Sequence, residues 1–261
     1  MTCQFLILDE TLAVEGELSR VASASVSRSA TDDVPLLESA SIEYDAHDAG
    51  WDGGWLRIVA DGNALGTFRF SPTTRKVTGD RVTVTADGYS VLKPAEENDA
   101  GVGAALVAGS DVAAFARKML SPCPGTIDCE GTTACPSTVV FDDGASRLSA
   151  LWAVLDACGW GMRLDGYGCV HVGPLPTEPA LRLDSTTSHV VRDGYEAGES
   201  LSYTREADGD AVRPMDAVAV ELPRAAMSGT YRVLSQELTI GAGVTVAETV
   251  GELERGDKDG D

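Results

Sequence analysis

The chain has 261 residues, 43% of them apolar and 23% charged, which is enough apolar content for a buried core. Lys and Arg number 20 against 41 Asp and Glu, so the formal net charge is −21 at pH 7. A protein this acidic repels the phosphate backbone, which argues against sequence-specific nucleic-acid binding. The charge fits either an ordinary soluble surface in a host with acidic proteins or a surface past which DNA slides without sticking.

The first ten residues contain no basic segment, and two acids interrupt their apolar run. They therefore do not resemble a signal peptide. No stretch approaches the about 18 apolar residues that a membrane helix needs. We expect a protein made in the cytoplasm that is neither secreted nor inserted in a membrane.

Residues 1–93 are predicted to form a first β domain. Short segments that alternate apolar and polar residues recur at intervals of about ten residues, and Gly-containing turns separate several of them. These segments are Leu18–Ser29, Ser39–Tyr44, Trp55–Ala60, Leu65–Phe70 and Arg81–Ala86. Their number and spacing favour a small β-barrel or sandwich.

Residues 94–109 are rich in Gly and Ala and are predicted to be a linker. Residues 110–175 follow as a small α/β insert. Its first helix begins at Ser110 and Asp111, and its second carries Leu148, Leu151, Trp152 and Leu155 at helical spacing. A hairpin then pairs 161–164 with 168–172 around Asp165-Gly166-Tyr167.

The β pattern resumes in residues 176–251, which are predicted to form a second β-barrel domain. Its strands are expected at Ser200–Arg205, Ala217–Leu222, Gly229–Gln236, Leu238–Ile240 and Val244–Val250. Residues 252–261 carry a single apolar residue, Leu253, and are predicted to be a disordered acidic tail. The fold class is therefore mainly β (α+β), with two small barrels separated by the α/β insert.

The chain shows no recognisable catalytic or cofactor motif. The three histidines, His47, His171 and His189, stand outside any H-E-x-x-H pattern, and no phosphate-binding or nucleophile-elbow motif is present. Cys123, Cys129 and Cys135 are spaced six apart, which matches no usual zinc motif. We therefore expect no enzyme activity, no cofactor and no metal. A loop disulfide formed after lysis is an equal alternative to a metal at these cysteines.

The segment from Tyr44 to Trp55 holds three Asp and two Trp in twelve residues. The spacing of its carboxylates does not fit a calcium loop. The pair Trp51 and Trp55, beside Asp48 and Asp52, could stack on a sugar, or could cover a barrel end or a subunit contact. We take these four residues as a possible interface or ligand loop and favour the contact over the sugar.

In organisation and in local patterns the chain resembles the hub proteins of phage and phage-like tail baseplates, over about residues 15–245. Ala24–Tyr44 is similar to the opening strands of that family, and Val82–Pro94 to the strand and turn that close its first barrel. Leu148–Val172 resembles the family's α/β insert. Gly229–Gln236 resembles the returning strand of its second barrel.

The resemblance implies two tail-tube-like barrels related by pseudo-symmetry and a homotrimer whose six barrels form a ring. That ring would sit at the virion tail tip, joining the tail tube to the distal receptor-binding assembly and letting DNA pass. The implied partners are distal tail ring and tail-tube proteins, a tape-measure protein and a tail fibre or spike. The larger relatives carry an additional peptidase or lysozyme domain, for which we see no pattern here, so cell-wall digestion is not expected.

Two other hypotheses belong to different classes. The first is a carbohydrate-binding adhesin module that uses Trp51 and Trp55. The second is an unrecognised hydrolase, for which His47, Asp48 and Asp52 would be the candidate residues.

Overall fold

A computed structural model of the chain describes residues 2–30, 36–46, 51–101, 103–186, 195–206, 212–241 and 244–251. The strands are β1 (Cys3–Leu8), β2 (Val14–Glu17), β3 (Val21–Ser29), β4 (Leu37–Asp45), β5 (Gly54–Ala60), β6 (Asn63–Thr78), β7 (Arg81–Ser90), β8 (Ala105–Leu106), β9 (Ile127–Cys129), β10 (Val139–Val140), β11 (Trp160–Leu164), β12 (Val170–Pro174), β13 (Leu181–Asp184), β14 (Tyr195–Ala197), β15 (Ser200–Glu206), β16 (Ala217–Leu222), β17 (Met227–Ile240) and β18 (Val244–Gly251). The helices are α1 (Lys93–Glu97), α2 (Val112–Met119) and α3 (Arg147–Ala157), with a 3₁₀ turn at Pro223–Ala225. The prediction of a mainly β fold is confirmed.

Thirteen of the strands belong to a single sheet with the order β14-β15-β18-β17-β3-β4-β7-β6-β5-β1-β2, and β16 and β13 branch from β17. The strand β17 joins the two ends of the chain. Its residues Ser235–Ile240 pair antiparallel with Ala24–Ser29 of β3. Its first residues, Met227–Arg232, pair instead with β16. The N-terminal and C-terminal β regions therefore share one continuous ladder.

Alternation along these strands separates a buried face from a polar one. In β3, Ala24 and Val26 are buried, whereas Ser25 and Ser27 are more accessible. The buried face of the first β region forms a core whose largest members are Ile42, Tyr44, Leu56, Ile58, Phe68 and Phe70. The C-terminal strands add Leu238, Ile240, Val244 and Val246 to that core. A second core contains Leu183, Leu201, Tyr203, Val218, Val220, Val233 and Val250.

The two predicted helices are confirmed, and each begins at a side-chain cap. Asp111 accepts a hydrogen bond from the backbone N–H of Ala113 at 2.9 Å, and Ser146 accepts one from that of Ser149 at 3.0 Å. Such caps satisfy amide groups that have no partner within the helix. Helix α3 ends before Gly159, which has a φ of +66° and so adopts the left-handed conformation that favours glycine.

The predicted hairpin is also confirmed, because β11 pairs with β12 from Trp160 opposite Pro174 to Leu164 opposite Val170. The strand β9 adds to β12 in parallel, with Asp128 opposite His171. A third core, which we call the helix-associated core, is built by the helices and this hairpin and includes Leu148, Leu151, Leu155, Met162 and Val172.

The segment predicted as a linker, 94–109, contains most of α1 and all of β8. Ala95 and Leu106 are buried in the helix-associated core, and Leu106 pairs with Val139 of β10. The domain boundaries at 93, 109 and 175 stay predictions, and the tail 252–261 lies outside the described residues. Within the described parts of the chain, every helix is too short or too polar to cross a membrane.

Candidate functional site: a hydroxyl-lined sheet face

The accessible face of the central strands carries mostly short hydroxyl side chains, and we call it the hydroxyl face. It consists of Ser23, Ser25, Ser27 and Ser29 of β3; Ser39, Ser41 and Glu43 of β4; Ser235, Glu237 and Thr239 of β17; and Thr245, Ala247 and Thr249 of β18. Strict alternation places these residues opposite to the buried core positions of the same strands.

Strand register assembles the hydroxyl face into contiguous rows. Ser27 lies opposite Ser39 on one side and Glu237 on the other. Ser29 lies opposite Ser235, and Ser235 lies opposite Thr249. A groove of about 660 Å³ runs over this part of the face. Because the side chains are short, the backbone sets the shape of the surface.

The charges of the hydroxyl face have one sign. Glu43 and Glu237 are exposed acids, and none of the positions that define the face is Lys or Arg. At the rim, the ammonium group of Lys93 lies 2.9 Å from a carboxylate oxygen of Glu96. The face therefore offers phosphate groups repulsion and hydration rather than ion pairs.

A layer of buried charged groups lies directly behind the hydroxyl face. Arg205 forms two bonds with Glu248, from Nε at 2.8 Å and from Nη2 at 2.7 Å, and the Tyr203 hydroxyl donates to the same carboxylate at 2.6 Å. The amide of Gln236 donates to Glu248, and its carbonyl accepts a 2.9 Å bond from Arg28. Charge-assisted and bidentate bonds of this kind fix strands β3, β15, β17 and β18 relative to one another.

Arg28 and Glu38 form a buried pair across β3 and β4, with Arg28 Nε 3.5 Å from a carboxylate oxygen of Glu38. Burial and the nearby Arg213 together lower the pKa of Arg28 to about 9, although Glu38 acts in the opposite direction. Burial raises the pKa of the Glu38 carboxyl, and Arg28 only partly offsets that effect. Neither Glu38 oxygen has a hydrogen-bond partner among the described residues.

The first residues of β6 are tied to this layer through their backbone carbonyls. Arg213 donates to the carbonyl oxygens of Ala64 at 2.7 Å and Leu65 at 3.1 Å, and Arg28 also donates to Leu65. Asp216 accepts bonds from the Arg213 backbone N–H and from Arg163. One set of arginines therefore connects all three cores.

The residues of the predicted interface or ligand loop are placed separately. The Trp55 side chain is buried in the helix-associated core, and its Nε1 donates to Glu10 at 3.1 Å. Trp51 is half-buried and packs edge-on against Tyr44 and Phe70 of the first core. Asp52 is exposed and pairs with Arg75, and Asp48 lies outside the described residues. Stacking on a sugar needs an open ring face, which Trp55 does not provide.

The other candidate residues divide in the same way. His47 and His189 lie outside the described residues. His171 is described, with Nδ1 3.5 Å from Asp128 and Nε2 3.6 Å from Asp165. All six cysteines are free thiols, so no disulfide joins Cys123, Cys129 and Cys135 in this structure.

Sequence reasoning missed two features that leave a recognisable signal. Arg28 occupies an inward position of an alternating strand, between Val26 and Ala30, which is the pattern of a buried charge. Cys169 and His171 are two residues apart where β12 begins, a spacing that places both side chains on one face of a strand.

The chain matches known proteins in its fold and not in its sequence. No family model matches the chain, and no curated protein matches it. The chain is similar in structure to the tail protein from Neisseria meningitidis MC58, with a TM-score of 0.71, 12% identity, and 97% of this chain and 98% of that one covered. It is equally similar to the prophage MuSo2 43 kDa tail protein from Shewanella oneidensis, with a TM-score of 0.71 and 9% identity over 97% of this chain and 99% of that one.

A similarity at lower TM-score extends to a second kind of particle. The E. coli c3393 protein, a component of the type VI secretion system, matches with a TM-score of 0.59 and 11% identity over 90% of this chain and 74% of that one. That protein is described as structurally similar to the T4 bacteriophage tail proteins gp27 and gp5. The chain therefore has the fold of phage and prophage tail proteins, in agreement with the resemblance inferred from its sequence.

Proposed function

We propose that the chain is a non-enzymatic structural subunit of a phage or prophage tail tip. Three copies would form a baseplate hub ring that joins the tail tube to the distal receptor-binding or spike assembly. DNA would pass through the ring. The hydroxyl face is the observation that carries the proposal, and we assign it to the wall of the passage.

The chemistry of the hydroxyl face suits such a wall. DNA phosphates bind to Lys and Arg and release counterions, which would hold the genome in place. Hydroxyl groups and isolated carboxylates keep bound water at the surface instead. The short side chains also present little that could interlock with a moving duplex.

Open strand edges support an assembly of several copies. Among the described strands, β14 pairs only with β15, and β2 pairs only with β1. Unpaired backbone groups at such edges are normally covered by a neighbour or protected by charge. Closed symmetric rings cover edges of this kind with the next copy.

The proposed neighbours follow from the position of a hub. Tail-tube and distal tail ring proteins would contact one side of the ring, and a fibre or spike protein would contact the other. A tape-measure protein would end at the passage. The virion tail tip is thus the proposed location.

The ring is tested by measuring the mass of the purified chain by light scattering and by imaging it by electron microscopy. We expect a trimer with a central opening walled by β3, β4, β17 and β18. A chain that stays monomeric at high concentration and physiological salt, alone and with its tail-tube protein, would contradict the proposal.

The passage wall is tested in assembled particles that carry Ser27→Lys together with Glu237→Lys. We expect normal assembly but slower or incomplete DNA release, because the new cations bind phosphate. Asp143→Lys, at an exposed position of the loop before α3, is the matched control and should release DNA normally. Equal release from all three particles would remove the hydroxyl face from the passage.

A further inference from the structure

Three potential metal ligands converge where the β11–β12 turn enters β12. Asp165 is the residue after β11, and Cys169 immediately precedes β12. His171 is the second residue of β12. Their nearest ligand atoms, a carboxylate oxygen, Sγ and a ring nitrogen, all lie within 4.8 Å of one another. All three residues are half-buried, so an ion at this point would be in contact with both protein and solvent.

The spacing between two of these atoms fits a shared ion better than a direct bond. His171 Nε2 lies 3.6 Å from Asp165 Oδ2, beyond the usual length of a hydrogen bond. Two ligands bound at about 2.0–2.1 Å to one tetrahedral ion are about 3.3 Å apart. The Sγ of Cys169 lies within 4.8 Å of both atoms and would move closer to them on binding an ion.

The carboxylate of Asp165 is already oriented by the backbone. Its Oδ1 accepts hydrogen bonds from the N–H groups of Tyr167 and Cys169, both at 2.8 Å. These bonds fix the turn and leave Oδ2 on the side of His171. The two bonds therefore position the Asp165 carboxylate and also hold the backbone of Cys169, which carries the second of the possible ligand atoms.

The other nitrogen of His171 faces a carboxylate that would complete the arrangement. Nδ1 lies 3.5 Å from Asp128 Oδ2, across the parallel pairing of β9 with β12. A histidine that binds a metal through one nitrogen usually donates the N–H of the other to a carboxylate. Asp128 stands at the position of that acceptor.

We propose that Asp165, Cys169 and His171 bind a zinc ion through Oδ2, Sγ and Nε2, with water as the fourth ligand. A mixed set of one sulfur, one nitrogen and one oxygen suits Zn²⁺ and does not suit Mg²⁺ or Ca²⁺, which take oxygen ligands. Binding would convert the Cys169 thiol to a thiolate and release its proton to solvent. Asp128 is a positioning residue that orients the ring of His171.

The ion would hold in place a turn that connects two parts of the molecule. Thr67 donates to the carbonyl oxygen of Gly166 at 2.8 Å, and Arg57 donates to that of Tyr167 at 3.2 Å. The turn thus packs against β5 and β6 of the first β region. By holding this turn, the ion would stabilise the position of the α/β part on the sheet.

The test uses the full chain, freed of metal by dialysis against a chelator and titrated with Co²⁺ as a spectroscopic substitute for Zn²⁺. We expect one ion per chain, a sulfur-to-cobalt charge-transfer band in the near ultraviolet, and the intense visible absorption of tetrahedral cobalt. Zinc should displace the cobalt and raise Tm, whereas Mg²⁺ should do neither.

Variants identify the ligands. Cys169→Ser should abolish the charge-transfer band, His171→Gln should weaken binding strongly, and Asp128→Asn should weaken it about 10–100-fold. Cys3→Ser, at a half-buried thiol of β1, is the matched control and should leave every signal unchanged. Circular dichroism and Tm in the absence of metal separate loss of binding from loss of folding.

Two results would overturn the proposal. If folded chain takes up no cobalt or zinc, His171 is only a histidine between two carboxylates. If Asp128→Asn and Glu130→Gln abolish uptake while Cys169→Ser does not, the ion lies on the Nδ1 side of His171 with Asp128 and Glu130, the second group of possible ligands at this histidine.

Discussion

Arg28 and Glu38 bring two charges into a region where water barely reaches, with side-chain exposures of 3% and 1%. Removing a pair of charges from water costs several kcal/mol per ion, and their attraction repays this only with good geometry. Arg28 is well bonded through its two terminal nitrogens, to Gln236 and Leu65. Glu38 has no hydrogen bond among the described residues, and Arg28 is the charge that most offsets its burial. This difference between the two partners leads to two predictions.

The first prediction concerns removal of each partner. Arg28→Met should lower the free energy of unfolding by about 3–5 kcal/mol, because the buried Glu38 carboxyl would lose the cation that most offsets its burial. The double variant with Glu38→Gln should recover part of this loss. Arg69→Met, which breaks an exposed pair with Glu10, is the control and should cost less than about 1 kcal/mol. Urea unfolding of wild type, both single variants, the double variant and the control provides the measurement, and a double variant as unstable as the sum of its parts would contradict the prediction.

The second prediction concerns pH. Burial raises the pKa of Glu38 above its ordinary value of 4.5. Its contribution to stability is therefore fully present below pH 4.5 and is lost as pH rises through the raised pKa. Wild type should gain stability relative to Glu38→Gln as the pH is lowered toward 4.5.

Asp9 provides a control of opposite sign. Hydrogen bonds from Thr11 and from the backbone of Ala13 lower the pKa of Asp9. Wild type should therefore lose stability relative to Asp9→Asn as the pH falls through that lowered pKa. Urea unfolding at several pH values measures both differences, and parallel slopes for the two variants would contradict the assignment.

At the scale of elements, the β11–β12 turn lies against the start of β6 at a very close backbone approach. A Cβ added to Gly166 would lie 1.8 Å from the carbonyl oxygen of Ala64. Only glycine fits there, because even one methyl group would push the turn away from β6. The same contact carries the bonds from Thr67 and Arg57.

Gly166→Ala should therefore lower the free energy of unfolding by about 3 kcal/mol, the upper end of the usual cost of over-packing. Gly16→Ala is the matched control, since nothing lies within 4 Å of the Cβ position in β2. Calorimetry of the two variants measures the difference. Similar Tm values for both variants would mean that the turn moves away from β6 with no loss of stability.

At the scale of the whole molecule, the first core is completed by the other end of the chain. Leu238, Ile240, Val244 and Val246 lie in the same cluster as Phe68 and Phe70. The pairing of β17 with β3 delivers them. We therefore expect the two β regions to depend on each other for folding.

A chain that ends at residue 175 should consequently fail to form a stable monomer. It would lose those four core residues and leave the edge of β3 unpaired, which favours aggregation. Circular dichroism and Trp fluorescence of the fragment and of the full chain measure this. A fragment that unfolds cooperatively at a Tm close to that of the full chain would show the first β region to be independent.

The proposed trimer should be strengthened by salt. Each copy carries a formal charge of −21, so association brings like charges together. At 0.1 M salt, the repulsion between charges more than about 10 Å apart is largely screened. Sedimentation at low and moderate ionic strength should show more trimer as salt rises. The opposite trend would mean that ion pairs hold the copies together.

Local features of the fold were predictable and distant pairings were not. Helices α2 and α3 follow from caps and apolar spacing within ten residues, and the β11–β12 hairpin follows from its Asp165-Gly166 turn. Ser29 and Ser235 meet in the ladder although about 200 residues separate them, and no local pattern encodes such a contact. Trp55 was predicted both as the start of a strand and as part of a ligand loop, and β5 carries it into a core.

The hydroxyl face has a mechanical consequence for the proposed ring. Long side chains at a passage swing between rotamers, so its aperture would vary from moment to moment and from copy to copy. Apart from Glu43 and Glu237, the hydroxyl face consists of serine, threonine and alanine, which reach barely beyond the pleat of the sheet, and the ladder holds the main chain that carries them. The bore would then be as constant as the hydrogen-bonded lattice around it. A single substitution to a long residue on this face should narrow the bore of the proposed ring at one known position along its axis.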